Sequence, residues 1–320
     1  MLNSYSEKLD LEISSYLDSL PDQGIYLPFK YILNLGGKRF RPSLVLLSTE
    51  LFGGDLQEAI KPAIGVEVFH NFTLVHDDIM DAAPLRRGKK PVHLKWDTNM
   101  GILSGDVMFA QANTLISSCY PHHLNKMVSL FNKTSIEICE GQDLDMQFES
   151  RNKVSLDEYI KMIRLKTAVL VGCALKMGAI IGNANDEDAN LMYDFGVDLG
   201  IAFQVDDDIL DLYGDQLAVG KQLGGDIIEG KHSALMILAK NATNHEQNNK
   251  LTSLLENTNE TEKVNDVKAF FDQMNIKEAA LELKHTYYSK AIDSVHRLSI
   301  QEKSKKNLID FAKNLMNRNF

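Results

Sequence analysis

Two aspartate boxes of the same form stand 130 positions apart, Asp77-Asp78-Ile79-Met80-Asp81 and Asp207-Asp208-Ile209-Leu210-Asp211. Each lies in an otherwise apolar stretch, Phe72 to Met80 and Ile201 to Leu212, where an unpaired carboxylate is costly to bury. On a helix the first and last Asp of a box are four apart and face the same way, with the second on the adjoining edge. Two such helices facing each other would make a cage of up to six carboxylates. Oxygen-only ligands suit a hard divalent cation, Mg²⁺ before softer ions, and Mg²⁺ completes its shell with water and substrate phosphates. The boxes therefore point to a phosphorylated substrate.

The cations that would meet such a substrate fall in two clusters. Gly36-Gly37-Lys38-Arg39-Phe40-Arg41-Pro42 opens a helix with two glycines and three cations. Lys38 and Arg41 are three apart and can point the same way, near a helix N-terminus whose N–H groups also favour anions. The alternative for this segment is a solvated basic turn built on a common helix breaker. Arg86-Arg87-Gly88-Lys89-Lys90-Pro91 follows the first box after four residues. Adjacent arginines splay apart, so Arg86 and Arg87 can serve two different anions, although such charge runs are often only solvated surface. Lys166-Thr167, Gly220-Lys221 and Glu229-Gly230-Lys231 add single cations, each weak alone. His70 and His76 lie near the first box, where lone histidines are more often structural, and His122-His123 after Pro121 reads as a helix start.

These side chains must be carried by helices. Apolar residues recur at helical spacing from Glu7 to Leu20, and Pro21 closes the segment. Helix-like runs follow at about 26–34, 41–52, 56–80, 99–119, 123–148, 155–182, 186–212, 231–240, 246–256, 264–273, 275–297 and 300–318, separated by breakers such as Gly53-Gly54, Pro121 and Gly224-Gly225. No convincing period-two strand is present, so the spacing predicts an all-α protein. Residues 241–266 are the most polar stretch and predict a loop with short helical pieces, with no assigned role. Because boxes and basic motifs must converge, residues 1–320 are read as a single domain, with the motifs within about 29–239.

Composition narrows the class. The net charge of -10 argues against nucleic acid as the main partner, because phosphate backbones reward basic surfaces. Cys119, Cys139 and Cys173 are odd in number and widely spaced, which indicates neither a disulfide framework nor a zinc site. No signal peptide is visible, and the longest apolar stretch, Ala168 to Ile181, is interrupted by Lys176 and too short to span a bilayer. A cytoplasmic protein with no membrane span is the expectation.

Taken in order, GGKRFRP, LVHDDIMD, RRGKKPVH, SGD, EGQDLD, KT, FQVDDDILD, GK, GGD and EGK resemble the trans-isoprenyl diphosphate synthase (polyprenyl synthetase) family, short-chain type. The resemblance runs from Gly36 to about Lys231. It implies the type I isoprenoid synthase fold, a helical bundle with a deep central cavity and the two boxes facing each other across its mouth. It implies head-to-tail condensation of isopentenyl diphosphate with an allylic diphosphate (dimethylallyl, geranyl or farnesyl), releasing diphosphate. It also implies Mg²⁺, about three ions per site with substrate bound, and a homodimer.

By the same resemblance, Asp77, Asp81 and Asp207 hold metal, with Asp78, Asp208 and Asp211 as further ligands or their supports. Arg86, Lys166, Lys221 and Lys231 hold the allylic diphosphate, and Thr167 and Gln204 line the allylic cation. Lys38, Arg41, His70 and Arg87 match the family's metal-independent site for isopentenyl diphosphate. Phe72 lies five residues before Asp77, roughly 7 Å along the helix, where the family's aromatic residues tend to floor the cavity. Thr73 beside it is small and leaves extra room. Together they favour a C15 to C20 product, geranylgeranyl slightly before farnesyl. A class I terpene cyclase is disfavoured by the second box and by GGKRFRP, and a silent regulatory subunit by the completeness of both boxes.

Overall fold

The computed structural model describes residues 2–214 and 223–316. It is all-α: among the described residues the one extended pairing is an isolated bridge between Arg86 and Lys89. The chain divides into two compact units, one comprising residues 1–134 and 173–193, the other 135–172 and 194–320.

In the first unit, α1 (Leu2–Ser19), α2 (Tyr26–Asn34), α3 (Phe40–Leu51), α4 (Leu56–Met80), the short α5 (Val92–Lys95) and α6 (Thr98–Ile116) follow in order. In α1, Leu9, Ile13 and Leu17 recur every four residues and are at most 3% exposed, the stripe that packs a helix against a core. Pro42 sits in the first turn of α3, where the missing N–H would have had no helical partner. Asp55 caps α4 by accepting from the Gln57 N–H at 2.9 Å. The middle of α4 is buried on all sides (Ala63, Ile64, Val66, Val68, Phe69), as expected of a helix that is apolar all round. Gly65 lets α6 approach closely, since a Cβ there would meet Ile116 Cγ1 at 2.8 Å and Ala112 O at 3.1 Å. The unit also takes the first part of α7 (Pro121–Glu149) and parts of α9 (Val169–Ile181) and α10 (Asp186–Tyr213).

The second unit takes the rest of α7, α9 and α10, with α8 (Leu156–Ile163), α11 (Gly225–Ile228), α12 (Ala234–Ala242), α13 (His245–Leu255), α14 (Glu260–Gln273), α15 (Ile276–Arg297) and α16 (Glu302–Met316). A capping box, Ser155 with Glu158, starts α8. Between α8 and α9 the chain forms a π turn, Arg164–Ala168. The sequence predicts one continuous helix over 155–182, and this π turn interrupts it. In the polar stretch 241–266, α13 falls on the predicted run at about 246–256 and α14 starts before the predicted 264, each begun by an asparagine cap, Asn244 and Asn259. No described helix is long and apolar enough to cross a membrane.

Candidate active site

The first box ends α4, with Asp81 as its C-cap residue. Asp78 is fully buried, and its Oδ1 accepts from Arg86 Nε at 2.9 Å and Nη2 at 2.5 Å. Its Oδ2 is buried without a hydrogen-bond partner. Arg86 and Arg87 then diverge for a backbone reason. Arg86 and Lys89 exchange both N–H···O bonds, 2.7 and 3.0 Å, across Arg87 and Gly88, both at positive φ (51° and 72°). That is the left-handed pair of a tight hairpin turn, with glycine at its second position. Arg86 is thereby directed to the box, whereas Arg87 Nη1 donates to the Gly36 carbonyl.

The loop that receives Arg87 is the GGKRFRP segment. A Cβ on Gly37 would come within 3.2 Å of Arg87 Nη2, so this glycine gives the guanidinium its seat. Lys38 is exposed, and Arg41 in the first turn of α3 lies 3.4 Å from His70 Nε2 on α4. Burial and the Arg41, Arg87 and Arg86 charges hold the His70 imidazole well below its usual range, so it is neutral at pH 7. Arg41 and His70 thus meet at 3.4 Å, and Arg87 reaches the same loop through the Gly36 carbonyl.

Further back along α4, Phe72 joins an aromatic cluster. Its ring centroid lies 5.5 Å from those of Phe69 and Phe109 and 4.7 Å from His76. Phe131 on α7 meets Phe69 edge-on at 5.0 Å. Thr73 Oγ1 donates to the His70 carbonyl at 2.8 Å, which directs its hydroxyl back along α4.

The second box lies at the end of α10. Asp208, 7% exposed, accepts from Tyr159 Oη at 2.6 Å and the Ala234 N–H at 2.8 Å on Oδ2, and from Gln204 Nε2 at 3.2 Å on Oδ1. Asp211 Oδ2 accepts from the Asp226 N–H at 3.1 Å, at the start of α11. Burial, then Asp208 and Asp211, push the Asp226 carboxyl up to about 7. The π turn carries Lys166 and Thr167. Lys166 Nζ pairs with Asp145 at 2.5 Å, and Thr167 Oγ1 donates to Gln204 Oε1 at 3.4 Å. Lys231 is exposed and pairs with Glu229 at 2.7 Å; Lys221 lies outside the described residues.

A family model described as polyprenyl synthetase matches residues 22–274. The chain belongs to the polyprenyl synthetase family. Its members are prenyltransferases, and short-chain isoprenyl diphosphate synthases are the kind it matches. It is 40% identical over 240 residues to a geranylgeranyl diphosphate synthase of Methanosarcina mazei, covering 74% of each chain. With the geranylgeranyl diphosphate synthase of Saccharolobus solfataricus it shares 39% identity over 279 residues, 86% of this chain and 84% of that one. A crystal structure of geranylgeranyl pyrophosphate synthase matches its fold with a TM-score of 0.94 at 44% identity, covering 99% of both chains.

Residues that the spacing of the boxes did not single out also contact the expected site residues. Asp145 and Asp226 lie in EGQDLD and GGD, motifs visible in the sequence, but nothing local says that one pairs with Lys166 and the other crowds Asp211. Tyr159 carried no signal beyond an apolar position in α8. Gly141 does have a visible reason in three dimensions: a Cβ there would sit 2.3 Å from the Lys166 backbone N. Among the described residues no three His, Cys, Asp or Glu side chains are already disposed around one ion position. The donor chemistry nonetheless fits Mg²⁺. The donors are oxygens, one buried Asp78 oxygen lacks a partner, and the crowding of Asp226 is what a cation would relieve.

Proposed function

We propose that the chain condenses isopentenyl diphosphate head to tail with an allylic diphosphate (dimethylallyl, geranyl or farnesyl) to a C15 to C20 all-trans prenyl diphosphate, geranylgeranyl before farnesyl, releasing diphosphate. The observation that carries this reading is the divergence of Arg86 and Arg87. Arg86 turns to Asp78 in the carboxylate box and Arg87 to the Gly36 carbonyl of the glycine loop, which supports two separate anion positions, as a reaction between two diphosphates requires.

Asp77, Asp81 and Asp207 are our metal ligands, supported by Asp78, Asp208 and Asp211. Mg²⁺ bound there would supply Lewis-acid stabilisation of the departing diphosphate. Arg86, Lys166, Lys221 and Lys231 hold that diphosphate as its charge grows. Lys38, Arg41, His70 and Arg87 hold isopentenyl diphosphate, which keeps its own diphosphate. The Thr167 hydroxyl and Gln204 amide line the allylic cation with dipoles that do not react with it. No side chain need act as nucleophile, because the isopentenyl double bond attacks the cation.

Phe72, backed by Phe109 and Phe69, is our floor for the growing chain. We read residues 1–320 as one functional domain, since α7, α9 and α10 each run unbroken from one unit into the other. Ile102 and Leu103, 42% and 52% exposed on α6, support a homodimer. We read the chain's setting as cytoplasmic.

Chromatography of products from purified protein, Mg²⁺, isopentenyl diphosphate and each of the dimethylallyl, geranyl and farnesyl starters tests the reading. The expected result is a longer all-trans diphosphate with diphosphate release, and Phe72→Ala should shift the main product to greater length. Absence of diphosphate release with every starter would overturn the synthase reading, and an unchanged product distribution would remove Phe72 as the floor.

A further inference from the structure

Of the three cations in GGKRFRP, one is turned away from any ligand. Arg39 is 5% exposed, and its guanidinium is used in three directions. Nε donates to Asp10 Oδ1 at 2.8 Å, Nη1 to Glu67 Oε1 at 2.8 Å, and Nη2 to the Leu33 carbonyl at 3.0 Å. Glu67 is 3% exposed and is held in turn by Asn71, whose Nδ2 lies 3.2 Å from its Oε1. A buried pair of this kind adds little net stability, because desolvation offsets the attraction, but removing one partner is strongly destabilising.

Where the pair sits gives it a second consequence. Arg39 has left-handed backbone angles (φ 47°, ψ 34°), a strained conformation for a non-glycine residue. Its carbonyl accepts the Ser43 N–H at 3.1 Å, in the first turn of α3. Lys38 therefore leaves the loop on one side of this reversal, and Arg41 enters α3 on the other. Glu67 lies three residues before His70 on α4, so the two share a helix face. The guanidinium thus fixes the glycine loop against the helix face that presents His70 to Arg41. The Arg39 and Glu67 charges also act on Arg87 with opposite sign.

We propose that Arg39 and Glu67 form a positioning pair for isopentenyl diphosphate, locking the Gly36–Arg41 loop to α4 so that Lys38, Arg41, His70 and Arg87 converge on one diphosphate. This rests on the assignment of those four residues to isopentenyl diphosphate. Neither Arg39 nor Glu67 touches the ligand. Their loss weakens that one site and leaves the allylic site working.

The test measures isopentenyl diphosphate binding calorimetrically without metal, together with steady-state rates in which both substrates are varied. The variants are Arg39→Lys, Glu67→Gln and the apolar double variant R39M/E67M. We expect each to raise Kd and KM for isopentenyl diphosphate about tenfold or more, the scale of a small misplacement of binding groups. KM for the allylic diphosphate and kcat at saturation should stay within about twofold. The double variant should recover melting temperature without recovering affinity, which separates positioning from stability. Should R39M/E67M fail to fold, Arg39→Lys and Glu67→Gln carry the test. Unchanged isopentenyl diphosphate affinity in folded variants, or a parallel loss at both substrates, overturns the proposal. Absence of binding to the wild-type chain instead overturns the assignment of the four residues.

Discussion

Within each aspartate box the second carboxylate is buried and held by its own partners, Asp78 by Arg86 and Asp208 by Tyr159, Gln204 and the Ala234 N–H. Asp208→Asn would turn one of its acceptor atoms into a donor facing other donors. We expect a loss of about 1–3 kcal/mol, read as a lower midpoint in urea unfolding of the metal-free protein. A midpoint matching wild type would remove this residue as an anchor. The boxes, the glycine loop and the divergence of the two arginines were legible in the sequence because each rests on local spacing. The partners were not. Asp145 is 21 residues from Lys166 and Tyr159 is 49 from Asp208, and only tertiary packing selects such pairs from many equivalent carboxylates and phenols.

Helices were legible from apolar spacing, and several of their ends from Gly and Pro. The π turn at Arg164–Ala168 was not, because one extra residue in a turn leaves the apolar pattern on both sides nearly intact. Its place is set by two glycines. Beyond the tight approach at Gly141, a Cβ on Gly200 of α10 would meet Ala168 Cα at 2.8 Å. Gly141→Ala should push the Lys166 backbone away, reducing kcat by about 10–100-fold with a stability loss of about 1–3 kcal/mol. A variant with wild-type kcat would show that Lys166 tolerates the shift. On α10 itself, burial pushes the Asp198 carboxyl up to about 6, with Lys290 opposing, Asp194 adding and Arg164 opposing. A carboxyl raised in the folded state costs nothing below its unfolded pKa near 4. It lowers stability progressively as pH rises from about 4 to about 6, and by a constant amount above that. Asp198→Asn should therefore stabilise the protein at pH 8 by about 1–2 kcal/mol, allowing for solvent screening, and give no gain at pH 4. Equal midpoints at both pH values would contradict the shift.

At the scale of the whole molecule, composition could not say where apolar surface would remain exposed, since that depends on which helix faces the folded core leaves uncovered. Leu103→Lys places a charge on the α6 patch, and we expect it to lower the mass seen by light scattering from dimer to monomer. A mass equal to wild type would remove this patch as the interface. The described cations assigned to the departing diphosphate each rest on one of the chain's own carboxylates: Arg86 on Asp78, Lys166 on Asp145 and Lys231 on Glu229. In that arrangement the protein behaves as an ion exchanger whose sites are already loaded. A bare polyanion arriving there must displace an internal counter-charge and then face the carboxylate it has released. Divalent ions arriving with a diphosphate would supply positive charge to offset the released carboxylates. On that assignment, a polyanion that carries no divalent ion is disfavoured here by charge before the shape of the ligand matters.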